Sequence, residues 1–276
     1  MKKRNEFLCV FLCSVFVWIS GCSISSTELA TPQDVTSPTL APEIVEYLQI
    51  PDSLLESLTN SIQSIDKISE EEHSTVQVKQ SLGNTQELYI LYCVTFPEEN
   101  LLTSVDPNAL PVSSVTLSGT TGSVIPLTVD GKTGTFLSYF ENPTQGWEGK
   151  EVQFKLTSGL SNDTHEVSWR STAQGEIIDG NVHAENGETI GSISLSPFSL
   201  RFSISRSEAE DAVVFLDSIA IIDQSGTATQ PKGGRGVSSS SESSLQSFSG
   251  SIDFKHILDL STVTAVQIDG HTVTLK

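Results

Sequence analysis

The stretch Ile193-Ser-Leu-Ser-Pro-Phe-Ser-Leu-Arg-Phe-Ser-Ile204 decides the fold. Ile193 and Leu195 alternate with serines before Pro197, and Leu200, Phe202 and Ile204 alternate with polar residues after it. A period of two puts every apolar side chain on one face, as in a half-buried strand. Pro197 cannot donate a ladder hydrogen bond, so its expected place is an edge or a bulge. The same period recurs outward: Val76 and Val78; Val152, Phe154 and Leu156; Val167 and Trp169; Val213 and Phe215; Ile219 and Ile221; Ile252 and Phe254. Asp130-Gly131 and Asp269-Gly270 lie between apolar runs and read as hairpin turns, the second joining Val266–Ile268 to Val273–Leu275. Many short strands separated by turn signals predict an all-β chain built from β-sandwiches.

Residues 74–276 number 203, and a sandwich of immunoglobulin size takes about 100. Two tandem immunoglobulin-like sandwiches fit, at 74–184 and 185–276, with the boundary in the polar stretch Ala184–Glu188. Within the second, 225–246 (SGTATQPKGGRGVSSSSESSLQ) is of low complexity and is expected to be a mobile loop. Upstream, 43–73 reads as a short helical segment. Pro51-Asp52-Ser53 is a plausible start, Leu54, Leu55, Leu58, Ile62 and Ile65 recur at helical spacing, and Glu70-Glu71-Glu72 closes it. The stripe is expected to pack on the following domain; a partner-binding helix is the alternative. Residues 22–42 are rich in Ser, Thr and Pro and read as a disordered tether.

The chain begins with Lys2, Lys3 and Arg4, followed by an apolar run from Phe7 to Ile19. Thirteen residues are too few to span a bilayer as a helix, which needs roughly 20. They fit the apolar region of a signal peptide over residues 1–21. Ile19-Ser20-Gly21-Cys22 resembles the lipobox of bacterial lipoproteins. The small residues admit the backbone to a peptidase groove, and the Cys22 thiol is the nucleophile that takes the lipid. The alternative is an ordinary signal peptide with a chance cysteine. Of four cysteines, Cys9 and Cys13 leave with the signal and Cys22 is lipidated. Cys93 remains, so no internal disulfide can form. It sits in Leu88-Tyr-Ile-Leu-Tyr-Cys-Val-Thr-Phe96, a run apolar on both faces, and reads as a buried structural thiol.

The formal net charge is −19, and the signal contributes +2, which leaves −21 beyond it. That balance excludes nucleic acid as a partner and opposes adsorption to anionic lipid. Attachment to the outer face of the cytoplasmic membrane then rests on the acyl chains. The acids are scattered, and no D-x-[DN]-x-[DN]-G calcium loop occurs.

Three segments carry a family resemblance: Val76-Gln-Val-Lys-Gln-Ser-Leu-Gly-Asn-Thr-Gln-Glu-Leu-Tyr-Ile-Leu-Tyr-Cys-Val-Thr-Phe-Pro97, Ile193-Ser-Leu-Ser-Pro-Phe-Ser-Leu200, and Asp259-Leu-Ser-Thr-Val-Thr-Ala-Val-Gln-Ile-Asp-Gly-His-Thr-Val-Thr-Leu275. In order and spacing they resemble the Gram-positive family of extracytoplasmic tandem β-sandwich domains of unknown function found in anti-sigma-factor-like membrane proteins. The resemblance spans roughly 75–276. It implies outer sandwiches and no catalytic residues. Those relatives carry a cytoplasmic head and a membrane-spanning helix. Neither is read in this sequence, so direct control of a sigma factor does not carry over.

Sequence patterns for chemistry fail one by one. Asp130-Gly-Lys-Thr-Gly-Thr135 lacks the leading glycine of a phosphate loop, because Pro126 stands there. A hairpin turn is the better reading. His183-Ala-Glu185 lacks the P-C-x-x-C that a zinc deaminase requires. His165-Glu166 has no second histidine at the spacing of H-E-x-x-H, and His73, His165, His183, His256 and His271 show no metal-ligand spacing. No G-x-S-x-G occurs. Trp169 alternates with Val167 and is expected in the core. Trp147 lies in the turn-like Asn-Pro-Thr-Gln-Gly-Trp-Glu-Gly and is the first candidate for a contact residue, with packing over a sandwich end as the alternative. The expectation is a lipid-anchored, non-catalytic binding or envelope-sensing module without cofactor or metal, whose partner is an envelope protein or glycan. The alternatives are a glycan hydrolase with a carboxylate pair and a structural spacer.

Overall fold

The alternation around Pro197 becomes two strands and the turn between them. The computed structural model describes residues 39–97, 112–141, 146–206, 212–242 and 245–275. The first half holds β1 (Ile62–Glu70), β2 (Thr75–Gly83), β3 (Glu87–Thr95), β4 (Val112–Leu117), β5 (Thr120–Thr121), β6 (Ser123–Asp130), β7 (Thr133–Glu141), β8 (Glu151–Ser158) and β9 (Thr164–Arg170). One sheet runs β1-β2-β3-β7-β6 and the other β5-β4-β8-β9, all pairs antiparallel. Leaving β1 aside, this is the order of an immunoglobulin-type sandwich. Val76, Val78, Ile90, Tyr92, Phe136, Phe154 and Trp169 fill the space between the sheets.

The second half holds β10 (Ile178–His183), β11 (Thr189–Leu195), β12 (Ser199–Arg206), a short helix (Ala212–Asp217), β13 (Ala220–Asp223), β14 (Ala228–Thr229), β15 (Gly233–Glu242), β16 (Leu245–Phe254), β17 (Val263–Ile268) and β18 (His271–Thr274). Its sheets run β10-β11-β12-β16-β15 and β14-β13-β17-β18. The two halves therefore repeat one topology strand for strand, β10 standing for β1 and β18 for β9. Phe202, Phe215 and Phe248 stack at the centre of the second core, Phe215 and Phe248 with centroids 4.5 Å apart.

A third apolar cluster lies outside both sandwiches. Leu40, Ile44, Leu48, Ile50, Leu54 and Leu58 cover the outer face of the first sheet at Leu82, Tyr89, Leu91 and Leu137. The second half adds Phe198 and Ile257 to the same cluster. The N-terminal stripe thus packs on the following domain, as expected, and β3 is buried on both faces.

Several boundaries differ from the sequence reading. The helical segment of 43–73 contracts to α1 (Pro42–Leu48) and two 3-10 turns, and 62–70 is the strand β1. Ile62 and Ile65 mimic helical spacing because they serve opposite faces of β1: Ile62 joins the outer cluster and Ile65 packs on the core between the sheets. A bulge lies between Ser64 and Lys67, where Asp66 takes φ +46. The tether reading of 22–42 fails at its end. Leu40 is buried, and the Gln80 side chain accepts from Ala41 N (2.8 Å) and donates to Thr39 O (2.9 Å). Residues 1–38, with the signal and Cys22, lie outside the described residues. The domain boundary falls between Arg170 and Ile178 rather than at 184/185, because β10 pairs with β11 and Ala184–Glu188 is their turn.

The described residues of 225–246, all but 243 and 244, are largely strand rather than the expected loop. They supply β14 and β15, and β15 pairs with β16 in unbroken register from Gly233↔Phe254 to Glu242↔Leu245. Their Ser and Gly side chains hide the period of two from a pattern that looks for apolar residues. Pro197 sits in the β11–β12 turn, where it removes no ladder bond, rather than at an edge or bulge. Both Asp-Gly pairs open hairpin turns as expected. Asp130 pairs with Thr133 across Gly131, and Asp269 and Gly270 take φ +50 and +77 between Ile268 and His271.

Candidate functional site

The β2–β3 and β11–β12 turns are equivalents in the repeated topology, and they are built alike. Asn84 N donates to Glu87 O (2.8 Å), and Asn84 Oδ1 accepts from Gln86 N and Glu87 N. Ser196 N donates to Ser199 O (2.9 Å), and Ser196 Oγ accepts from Phe198 N and Ser199 N. The two turns meet. Glu87, 1% exposed, accepts from Asn84 Nδ2 (3.0 Å), from Ser196 Oγ (2.8 Å) and from Ser199 Oγ. A carboxylate this deep needs such donors to remain in place.

Glu87 opens a larger constellation at the junction of the halves. On β3 and β7, Glu87 faces Glu141 and Tyr89 faces Tyr139 in register. The equivalent pairs on β12 and β16 are Ser199 with Asp253 and Arg201 with Ser251. Tyr139 Oη points at three carboxylates: Glu141 at 2.9 Å, Glu87 at 3.4 Å and Asp253 at 3.5 Å. Arg201 Nη2 stands 3.4 Å from both Glu87 and Glu141. Among the described residues, no ion pair joins a base to Asp253. Burial, then the neighbouring Glu141 and Glu87, push the Asp253 carboxyl up to about 6, against a partial pull downward from Arg201. Burial would depress the Arg201 guanidinium, but Glu87 and Glu141 outweigh it and hold the group firmly protonated. Burial and the same carboxylates raise both Tyr89 and Tyr139, so both stay neutral phenols.

Of these residues, Tyr89, Tyr139 and Asp253 form one wall of a cleft of about 580 Å³. Tyr47 and Leu48 of α1 close one side, Ser123 and Ile125 of β6 another, and Gly233, Gly234, Phe254 and Lys255 the third. Gly233 is required here, since a Cβ would lie 1.5 Å from Asp253 O. The Tyr89 and Tyr139 rings pack against each other at a tilt of 34°, with centroids 4.8 Å apart. The Tyr89 side chain is 6% exposed, and its hydroxyl has no hydrogen-bond partner among the described residues.

A second polar cluster gathers at the far end of the first sandwich. Ser74 Oγ donates to Asp163 Oδ2 (2.6 Å) and lies 2.9 Å from His165 Nε2, while His165 Nδ1 lies 3.3 Å from Ser69 Oγ. Ser, His and Asp are all present, but the order is wrong for nucleophilic catalysis. The acid should receive the histidine Nδ1–H, and here it takes the serine proton. His165 and Ser74 are buried, so the cluster clamps the β1–β2 turn onto β9. Burial holds the His165 imidazole below its ordinary value, only partly opposed by Asp163 and Glu71.

The remaining sequence candidates scatter. Trp147 is 2% exposed in the first core, with its amide donating to Thr85 O (2.7 Å), so it packs over the sandwich end and is no contact residue. Trp169 and Cys93 are buried, as expected. His73, His183 and His256 are exposed and far apart in the fold, and His271 is half-buried. Among the described residues, no group of three His, Cys, Asp or Glu is placed to hold a metal, and no helix is long and apolar enough to cross a membrane. Glu141 and Asp253 stand within hydrogen-bond reach of one another.

The junction residues Glu87, Tyr89, Tyr139, Glu141, Arg201 and Asp253 were not singled out by sequence. The available signal was an acid at the head of the apolar run Leu88–Phe96, which has no reason to be there unless something satisfies it.

No family model matches the chain, and no curated protein matches it. A solved structure described as "The crystal structure of the conserved domain protein from Bacillus anthracis" is similar at a TM-score of 0.46 and 12% identity, covering 74% of this chain and 75% of that one.

Proposed function

We propose that this chain is an extracytoplasmic, lipid-anchored, non-catalytic binding module, held to the membrane through Cys22, and that the junction cleft is its binding seat. The observation that carries the reading is the cleft itself. Both sandwiches and α1 contribute walls to it, and the Tyr89 side chain, whose hydroxyl has no partner among the described residues, lines it. Concave sites with a few convergent polar groups are where small ligands and side chains bind. The lipobox Ile19-Ser20-Gly21-Cys22 supports the anchor, and the acidic surface supports its necessity, since charge alone repels the chain from anionic lipid.

Two experiments test this. Cys22→Ala should abolish labelling by a fatty-acid probe in growing cells; labelling that persists at another residue overturns the anchor. Ser123→Trp, a substitution at an exposed cleft position, should block the seat without touching either core. Envelope components retained by the immobilised wild-type chain should be lost from this variant. Equal retention by both overturns the cleft as the seat.

A further inference from the structure

We infer that the junction cleft takes a cationic nitrogen that carries N–H bonds, an alkylammonium or guanidinium group, seated between the Asp253 carboxylate, the Tyr89 hydroxyl and the faces of the cleft tyrosines. The inference rests on the cleft being a binding seat and names the chemistry of its ligand.

Four independent features converge on a cation. The first is charge count: Glu87, Glu141 and Asp253 meet at one place, and Arg201 pairs with the first two only. Among the described residues Asp253 has no ion-pair partner and feels only the partial pull of Arg201; Lys255 lines the cleft but is exposed, and no ion pair joins it to Asp253. The second is the Tyr89 side chain, 6% exposed and lining the cleft, whose hydroxyl has no hydrogen-bond partner among the described residues. Its oxygen can accept an N–H while Asp253 accepts another. The third is aromatic: Tyr89 and Tyr139 form a tilted ring pair in the cleft wall, and Tyr47, 43% exposed, flanks it. Tyrosine faces attract cations. The fourth is the field of a chain with net charge −19, which concentrates cations at its clefts.

The competing ligand classes lack this support. An anion would meet three carboxylates. A neutral sugar could stack on the tyrosines, but it would leave Asp253 uncompensated. A quaternary ammonium would satisfy the charge and the rings, but it offers no N–H to Asp253 or Tyr89.

The test is isothermal titration of the full chain in detergent with 1,5-diaminopentane and agmatine, against cellobiose and tetramethylammonium. Ligands of this size bind with Kd of about 1 mM or weaker. The two N–H cations should saturate the wild type, and tetramethylammonium should bind more weakly. Asp253→Asn should cut affinity about tenfold. Tyr47→Ala should weaken it severalfold, and Lys255→Gln should strengthen it by removing a like charge from the rim. A thermal midpoint for Asp253→Asn at or above wild type shows that the loss is not misfolding. Saturation by cellobiose with indifference to Asp253→Asn overturns the cation and leaves the cleft as a seat. Absence of any diamine binding also overturns the cation, and the Ser123→Trp comparison then decides the seat separately.

Discussion

At Asp253 the energetic sign can be worked out. The carboxyl titrates near 6 in the folded chain against an ordinary 3.8. Between these values the unfolded chain has released its proton while the folded chain still holds it, so stability falls as pH rises from about 4 to about 6. Above that window the penalty is fully present. Asp253→Asn should therefore raise the thermal midpoint at pH 7.5 and leave it unchanged at pH 4; a lowered midpoint at pH 7.5 would show that Asp253 has a counter-charge after all. The His165 imidazole runs the other way. Its folded value is depressed, so the unfolded chain takes up the proton first and stability is lost as pH falls below about 6.5. Ser74→Ala removes one partner of the buried His165 and should cost about 1–3 kcal/mol, read from urea unfolding at pH 7.5. None of this was legible in the sequence. Asp253 gains its setting from Glu141 and Glu87, far away along the chain. Trp147 looked like a turn residue because its neighbours are Gly, Asn and Pro, while its partners lie in strands on either side.

At the scale of elements, α1 and its two following turns work as a cover for a sheet face that would otherwise expose Tyr89, Leu91 and Leu137. Ile44 is fully buried in that cover, and Ile44→Ala should cost about 2–5 kcal/mol, read from denaturant unfolding. Because Tyr47 and Leu48 of the same helix line the cleft, the variant should also lose diamine binding. On the opposite wall, Gly233→Ala places a methyl against Asp253 O and should force β15 from β16 at the cleft. Protection of amide hydrogens at Gly233 and Gly234 would report it. Strands with large apolar residues, such as β8 and β12, could be read directly. β15 could not, since a strand of Gly and Ser holds its place through backbone pairing to β16 rather than through an apolar face. β1 was misread because Ile62 and Ile65, three apart, are apolar on opposite faces of the strand.

Over the whole molecule, length and turn spacing gave two sandwiches, and two are found. The division between them was misplaced by about ten residues because a polar hairpin turn looks like a linker. The halves are not independent: Phe198 enters the cluster of the first half, and Ser196 and Ser199 hold Glu87. Calorimetry of the wild type should give one unfolding transition, and Phe198→Ala should separate it into two; a single transition in both would place the coupling elsewhere.

The repeated topology has one more consequence. At the junction, equivalent positions touch each other: Glu87 meets Ser199, and Glu141 meets Asp253. This is the contact pattern of a two-fold axis, so one sandwich associating with its own copy would form the same junction as an isologous homodimer. Such a dimer would be bound to carry identical acids and identical tyrosines on both sides of its axis. Covalent fusion lifts that constraint. One half is free to supply the aromatic rings and the other the arginine and the unpaired acid, and the seat acquires a direction that a symmetric pair could never have.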